Sequence, residues 1–259
     1  MLFNRVVAEI DSGKLRRDWL FYIHGFNLSF KGNLAECRRI QAKYNVNIIA
    51  FSWPSNQGGF ARDEYRDARQ AAKASSFALD RTLEKLGGYL LERADRLRDE
   101  PDTPGCKLSL NLISYSLGSY LMESYIRQPI FSSETRIFDN VIFLQSDVDS
   151  KAHGDWIDRI DSRRIYATIN ERDSILKIST IINPPRLGNT AENLIALRPI
   201  YLDFTDAPRV GMTHNLLLDV QGNQVVDRVF QRLLSGGRGE LVKGLVYDPR
   251  LNAFRVDED

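Results

Sequence analysis

Short apolar runs alternate along this chain with longer stretches whose apolar positions recur every three or four residues. Trp19–Ile23 (WLFYI), Val46–Phe51 (VNIIAF), the run through Leu108, Leu110, Leu112 and Ile113, Phe138–Leu144 (FDNVIFL), Arg164–Ile169 (RIYATI) and Pro199–Phe204 (PIYLDF) read as strands. Their near-continuous apolar character is that of strands buried on both faces, as in a parallel sheet. Phe3–Ile10 (FNRVVAEI) reads as a further strand at an edge. Between the strands lie helical patterns over Leu34–Tyr44, Ala61–Arg98, from the end of the central strand to Gln128, Trp156–Ile160 and Gln224–Leu234. The second carries a stripe of Tyr65, Ala68, Ala72, Ser75, Leu79, Leu83, Leu86 and Leu90, with Gly87-Gly88 as a candidate bend or interruption. That stripe is core packing and carries no chemistry. Ile175–Leu197, with Pro184-Pro185, reads as irregular, and Leu241–Val256 as a terminal hairpin or loose arm.

Strands alternating with helices predict an α/β protein with a mostly parallel central sheet and helices on both faces. Sites in such sheets lie outside the carboxyl ends of the strands. A length of 259 residues without a linker-like stretch predicts one domain, with a core over about 19–234 and additions at both ends.

Charge narrows the partners. The 35 basic and 34 acidic residues are interspersed and sum to +1, which leaves no electrostatic footprint for nucleic acid or an anionic membrane. No apolar run is long enough to span a bilayer, and the N-terminal stretch has no signal-peptide core, so the expected location is cytoplasmic. Cys37 and Cys106 have no metal or redox spacing and read as buried thiols, and no cofactor is expected. Oligomeric state is not legible.

The candidate chemistry centres on Ser114-Tyr115-Ser116-Leu117-Gly118, where the central strand turns abruptly into a helical pattern. A serine at the apex of a strand–turn–helix is a nucleophile elbow, and the neighbours two residues away must be tiny. Gly118 meets that demand, and Ser114 stands where glycine is usual. A serine hydroxyl needs a base, and the base needs an orienting acid. Of three histidines, His24 precedes the elbow and reads as a structural residue of its loop. His153 reads as solvated. His214, in the loop after the last parallel strand, is the candidate base. Asp173, after the strand Arg164–Ile169, is the favoured acid. Asp147 and Asp149, one strand earlier, are alternatives that could instead cap the next helix or hydrogen-bond near the site. The oxyanion hole needs two backbone N–H donors. Leu117 is one candidate, and Phe26 in the loop His24-Gly25-Phe26-Asn27, or else Asn27, is the other. Tyr115, Trp53 and Gly25 are candidate pocket walls, and Ile175–Leu197 a candidate lid over a fairly open site.

FYIHGFNLSF, FSWPS, the helix with Tyr65 and Asp67, ISYSLGSYL, FLQSDVD, TINERDSILKIS, Arg186-Leu187-Gly188 and MTHN together resemble a bacterial α/β-hydrolase family of unknown function, lipase- or esterase-like in outline. The resemblance spans roughly Trp19 to Leu234. It implies the α/β-hydrolase fold and a triad of Ser116, Asp173 and His214, and it implies no substrate. Ser114 departs from the family's elbow, as do Ile175 and Leu176 from its smaller residue after the acid. The expected activity is cleavage of a carboxylic ester or related acyl bond of a small-molecule substrate through an acyl-enzyme. Acyl transfer, thioester or amide cleavage on the same triad remains an alternative, as does a non-catalytic binding module.

Overall fold

A computed structural model describes residues 2–56, 61–99, 108–132 and 134–257. One eight-stranded sheet organises them, in the order β2-β1-β3-β4-β5-β6-β8-β7. Its strands are β1 (Asp18–Ile23), β2 (Asn47–Phe51), β3 (Ser109–Tyr115), β4 (Asn140–Leu144), β5 (Arg164–Ile169), β6 (Pro199–Asp203), β7 (Leu245–Asp248) and β8 (Ala253–Val256). Every neighbouring pair is parallel except the β7–β8 hairpin, which the sequence left open as hairpin or arm; β8 extends the sheet by pairing parallel with β6. Register is firm because the alternating side chains enter two separate cores. Phe21 and Ile23 of β1, Leu112 of β3 and Val141 and Phe143 of β4 face one; Leu20 and Tyr22, Ile113, and Ile142 and Leu144 face the other.

The helices are α1 (Leu2–Asp11), α2 (Phe30–Tyr44), α3 (Ala61–Asp99), α4 (Gly118–Ile126), α5 (Gly154–Ile157), α6 (Ser174–Ser179) and α7 (Gln224–Leu234). The first core takes Ala68, Ala72, Leu79 and Leu83 of α3, with Leu121 and Met122 of α4 and Trp156 of α5. The second takes Cys37 and Ile40 of α2 with Val226, Val229, Phe230 and Leu233 of α7. Helices thus cover both faces of the sheet. Ser29 caps α2 by accepting from Gly32 N, and Asn223 caps α7 by accepting from Val225 N and Val226 N.

Four expectations change. The stretch Phe3–Ile10 is not an edge strand but part of helix α1. Phe3, Val6, Val7 and Ile10 also fit the i, i+3, i+4, i+7 spacing of one helical face, and that period wins over the β-branched composition. Gly87-Gly88 does not interrupt α3, which runs through both. Ile175–Leu197 is not wholly irregular, because α6 occupies its start and a short 3-10 turn covers Leu187–Asn189. His153 is not solvated but 1% exposed, on the first core's side of the sheet. Its Nδ1 lies 2.5 Å from the Ser150 carbonyl oxygen and its Nε2 2.6 Å from the Tyr201 hydroxyl. A carbonyl only accepts, so Nδ1 carries the proton and Nε2 accepts from Tyr201. Cys37 is buried, and burial pushes its thiol up to about 12. Cys106 lies outside the described residues.

Candidate active site

The elbow forms where β3 ends. Ser116 adopts φ +51°, a left-handed conformation that costs a non-glycine residue about 1–2 kcal/mol. The neighbouring chain holds it there. Its N–H donates to Leu144 O at the end of β4, and its carbonyl accepts from Ser119 N and Asp147 N. A Cβ on Gly118 would sit 2.6 Å from His24 O and 2.8 Å from Ile23 O, so β1 passes too close to α4 for any side chain there. Ser114 is tolerated for a different reason. It is fully buried, and its hydroxyl donates to Ser119 Oγ at 2.9 Å while Ser119 in turn donates to Ser114 O at 3.0 Å. The Ser146 hydroxyl lies 3.0 Å from Ser119 Oγ and completes a buried serine trio. The departure from glycine therefore adds a satisfied hydroxyl rather than an orphaned one.

His214 comes to Ser116 from the loop after β6. Its Nε2 lies 2.9 Å from Ser116 Oγ, and its Nδ1 lies 2.6 Å from Asp173 Oδ2. Asn170, fully buried at the end of β5, fixes that loop by donating from Nδ2 to Gly211 O and Thr213 O. Sequence reading passed over Asn170, whose partners lie some forty residues away and become neighbours only in the fold. Asp173 is fully buried and serves two elements at once. Oδ1 accepts from Ile175 N and Leu176 N, which makes it the N-cap of α6, while Oδ2 faces His214. Because Ile175 and Leu176 contribute backbone groups, the size of their side chains does not disturb the carboxylate.

The loop after β1 is clamped from β2's exit. Asn27 N donates to Ser55 O, and Leu28 N to Ser55 Oγ. His24 is fully buried, with Nδ1 2.9 Å from Gly25 O and Nε2 accepting from Trp53 N at 3.2 Å. The Trp53 indole stacks on the His24 ring at 5.5 Å and donates Nε1–H to His24 O. Trp53 is 4% exposed and buttresses the loop. A Cβ on Gly25 would come 3.0 Å from Ser116 Cβ, so this glycine lets the loop lie against Ser116. Tyr115 packs beside His214, ring centroids 5.1 Å apart. Phe26 N and Leu117 N donate to no protein acceptor among the described residues.

Asp147 and Asp149 stand apart from His214. Asp147 is buried and its carboxylate is taken by Tyr65 and Ser179; Asp149 Oδ1 accepts from Lys151 N. Neither caps α5, whose N-cap is His153. Among the described residues no group of three or more histidine, cysteine, aspartate or glutamate side chains is arranged to hold a metal ion. None of the described helices is long and apolar enough to cross a membrane.

A mostly parallel sheet covered on both faces, with a strained serine at a strand-to-helix turn at its carboxyl edge, defines an α/β-hydrolase fold. The chain belongs to a family described as alpha/beta hydrolase of unknown function (DUF900), whose profile matches residues 5–198. The match is shifted from the resemblance read in the sequence: it takes in most of α1 and stops before the loop that carries His214. No curated protein and no solved structure matches the chain.

Proposed function

We propose that this chain is a serine hydrolase that cleaves a carboxylic ester or related acyl bond through an acyl-enzyme. The observation that carries the reading is the unbroken line from Asp173 Oδ2 through both nitrogens of His214 to Ser116 Oγ, with steps of 2.6 and 2.9 Å. Each atom in that line fits one role. Asp173 only accepts, so it selects the tautomer with the proton on Nδ1 and leaves the Nε2 lone pair directed at Ser116. Because Oδ1 already accepts two α6 amides, the carboxylate is fixed in place before substrate arrives.

In the proposed reaction Ser116 Oγ attacks the acyl carbon while His214 Nε2 takes its proton. The carbonyl oxygen becomes an oxyanion facing the N–H groups of Leu117 and Phe26. Collapse expels the leaving group, which receives the proton from His214, and leaves an ester on Ser116. Water, deprotonated by His214, then attacks the acyl carbon, and collapse releases the acid as His214 returns the proton to Ser116 Oγ. The positive charge that develops on the imidazole is offset by Asp173. Oxyanion donors of this kind contribute about 10²–10³-fold in rate. Gly25 supports the reading by bringing the Phe26 loop against Ser116.

Hydrolysis of a panel of p-nitrophenyl esters of increasing acyl length tests this function. The expected result is turnover by the wild-type protein with a chain-length optimum, and none above background for Ser116→Ala. Equal turnover by the two proteins would contradict it.

A further inference from the structure

Asp147 sits immediately behind the nucleophile and takes no part in the proton path, yet it touches three parts of the candidate site. Its backbone N–H donates to Ser116 O at 3.1 Å, which ties the end of β4 to the elbow. Its Oδ2 accepts from the Tyr65 hydroxyl of α3 at 2.7 Å. The Tyr65 ring packs edge-on against Phe26, centroids 5.6 Å apart and planes at 81°. Its Oδ1 accepts from Ser179 Oγ at 2.7 Å, and Ser179 closes α6, the helix that Asp173 caps at the other end. A buried arginine, Arg186, places Nε 3.9 Å from the same oxygen. Asn183 Nδ2 donates to Ser179 O and lies within reach of Tyr65 Oη, closing the network.

A carboxylate 3% exposed is costly unless it is hydrogen-bonded and its charge offset; two hydroxyls donate to it, and the Arg186 guanidinium stands nearby as a counter-charge. A core built only for stability would be served as well by apolar side chains of similar volume. What this arrangement adds is direction: it links the nucleophile's backbone, the aromatic ring of the oxyanion loop and the helix bearing the acid through one rigid group.

We infer that Asp147 is a positioning residue for the proposed acyl transfer to Ser116, holding the Phe26 loop through Tyr65 and the Asp173 helix through Ser179. The inference rests on the serine-hydrolase reading, and it departs from the reading of Asp147 as an alternative triad acid. Tyr65 stays a donor throughout the working range, because burial and the Asp147 charge push its hydroxyl above its ordinary pKa. Small displacements of a reacting geometry are expensive: a shift of about 1 Å can cost about a hundredfold in rate.

The test is the rate of covalent labelling by a fluorophosphonate probe, measured against pH for the full chain and its variants. Tyr65→Phe keeps the ring beside Phe26 and removes the link to Asp147; it is expected to slow labelling roughly tenfold. Ser179→Ala is expected to do the same, and Ser179→Thr, which restores the hydroxyl, to recover most of the rate. In each slowed variant the pH midpoint of labelling stays at the wild-type value, because neither substitution replaces a titrating group of the proposed proton path. The double variant Tyr65→Phe/Ser179→Ala is expected to lose less than the product of the single losses, since both act through Asp147. Wild-type rates in the folded Tyr65→Phe and Ser179→Ala variants would overturn the inference. So would a shifted pH midpoint in Asp147→Asn, which would assign the aspartate to the proton path. Absence of labelling in the wild-type protein would instead remove the hydrolase reading on which the inference rests.

Discussion

Asp173 uses one carboxylate for two purposes: Oδ2 meets His214 Nδ1 at 2.6 Å, and Oδ1 caps α6 by accepting from Ile175 N and Leu176 N. The cap and the candidate triad are therefore chemically separable. Asparagine caps a helix about as well as aspartate but cannot favour the right imidazole tautomer. Asp173→Asn is expected to keep the wild-type thermal midpoint within a few degrees and lose about 10³-fold or more in ester turnover. Asp173→Ala is expected to lose turnover similarly and, in addition, about 1 kcal/mol of stability from the missing cap. Urea unfolding beside a turnover assay separates the two effects.

The close passage of β1 over the elbow makes Gly118 irreplaceable for packing reasons. A methyl group there would meet two backbone oxygens, at 2.6 and 2.8 Å, which cannot rotate away. Gly118→Ala is expected to destabilise the fold by about 1–3 kcal/mol, read as a lower urea midpoint. An unchanged midpoint would mean that β1 and α4 can separate at no cost, contrary to the packing described.

Two buried histidines set an acid limit on stability. Burial lowers the pKa of His24 and of His153 below the ordinary value of 6.5, and each is neutral with Nε2 accepting a hydrogen bond. The unfolded chain binds a proton at each near pH 6.5, while the folded chain binds it only at lower pH. The stability these residues confer is therefore complete above about pH 6.5 and falls as pH drops through that value toward their folded pKa values. The thermal midpoint is expected to decline between pH 7 and pH 5, and to decline less steeply in His153→Gln. A midpoint rising on acidification through this window would contradict the neutral assignments.

Most of the candidate site is legible because its residues lie at local sequence signals. Ser116 lies between a β-patterned run and a helix-patterned one, and His24-Gly25-Phe26-Asn27 and Asp173 each follow a strand, so a parallel sheet gathers them at one edge. The misreadings share a cause. His153 reads as solvated, but its partner Tyr201 lies on β6 and joins it only in the fold. Tyr65 read as one more position of an apolar stripe, although its hydroxyl reaches Asp147 across the first core's side of the sheet. Trp53 carries a role no sequence signal marks: a stacking partner and an indole acceptor, both supplied by His24, hold it against the loop after β1. Helix α1 was misread because eight residues fit both the strand and the helix period, and no strand neighbour was there to arbitrate.

Ser116 Oγ lies 2.9 Å from His214 Nε2, poised for the proposed attack. Incubation of the intact chain with a fluorophosphonate, followed by peptide mapping, tests it most directly. The account predicts one adduct, on Ser116, that is lost in Ser116→Ala and formed far more slowly in His214→Ala. Labelling that persists in Ser116→Ala, or a wild-type protein that takes up no probe, would contradict it.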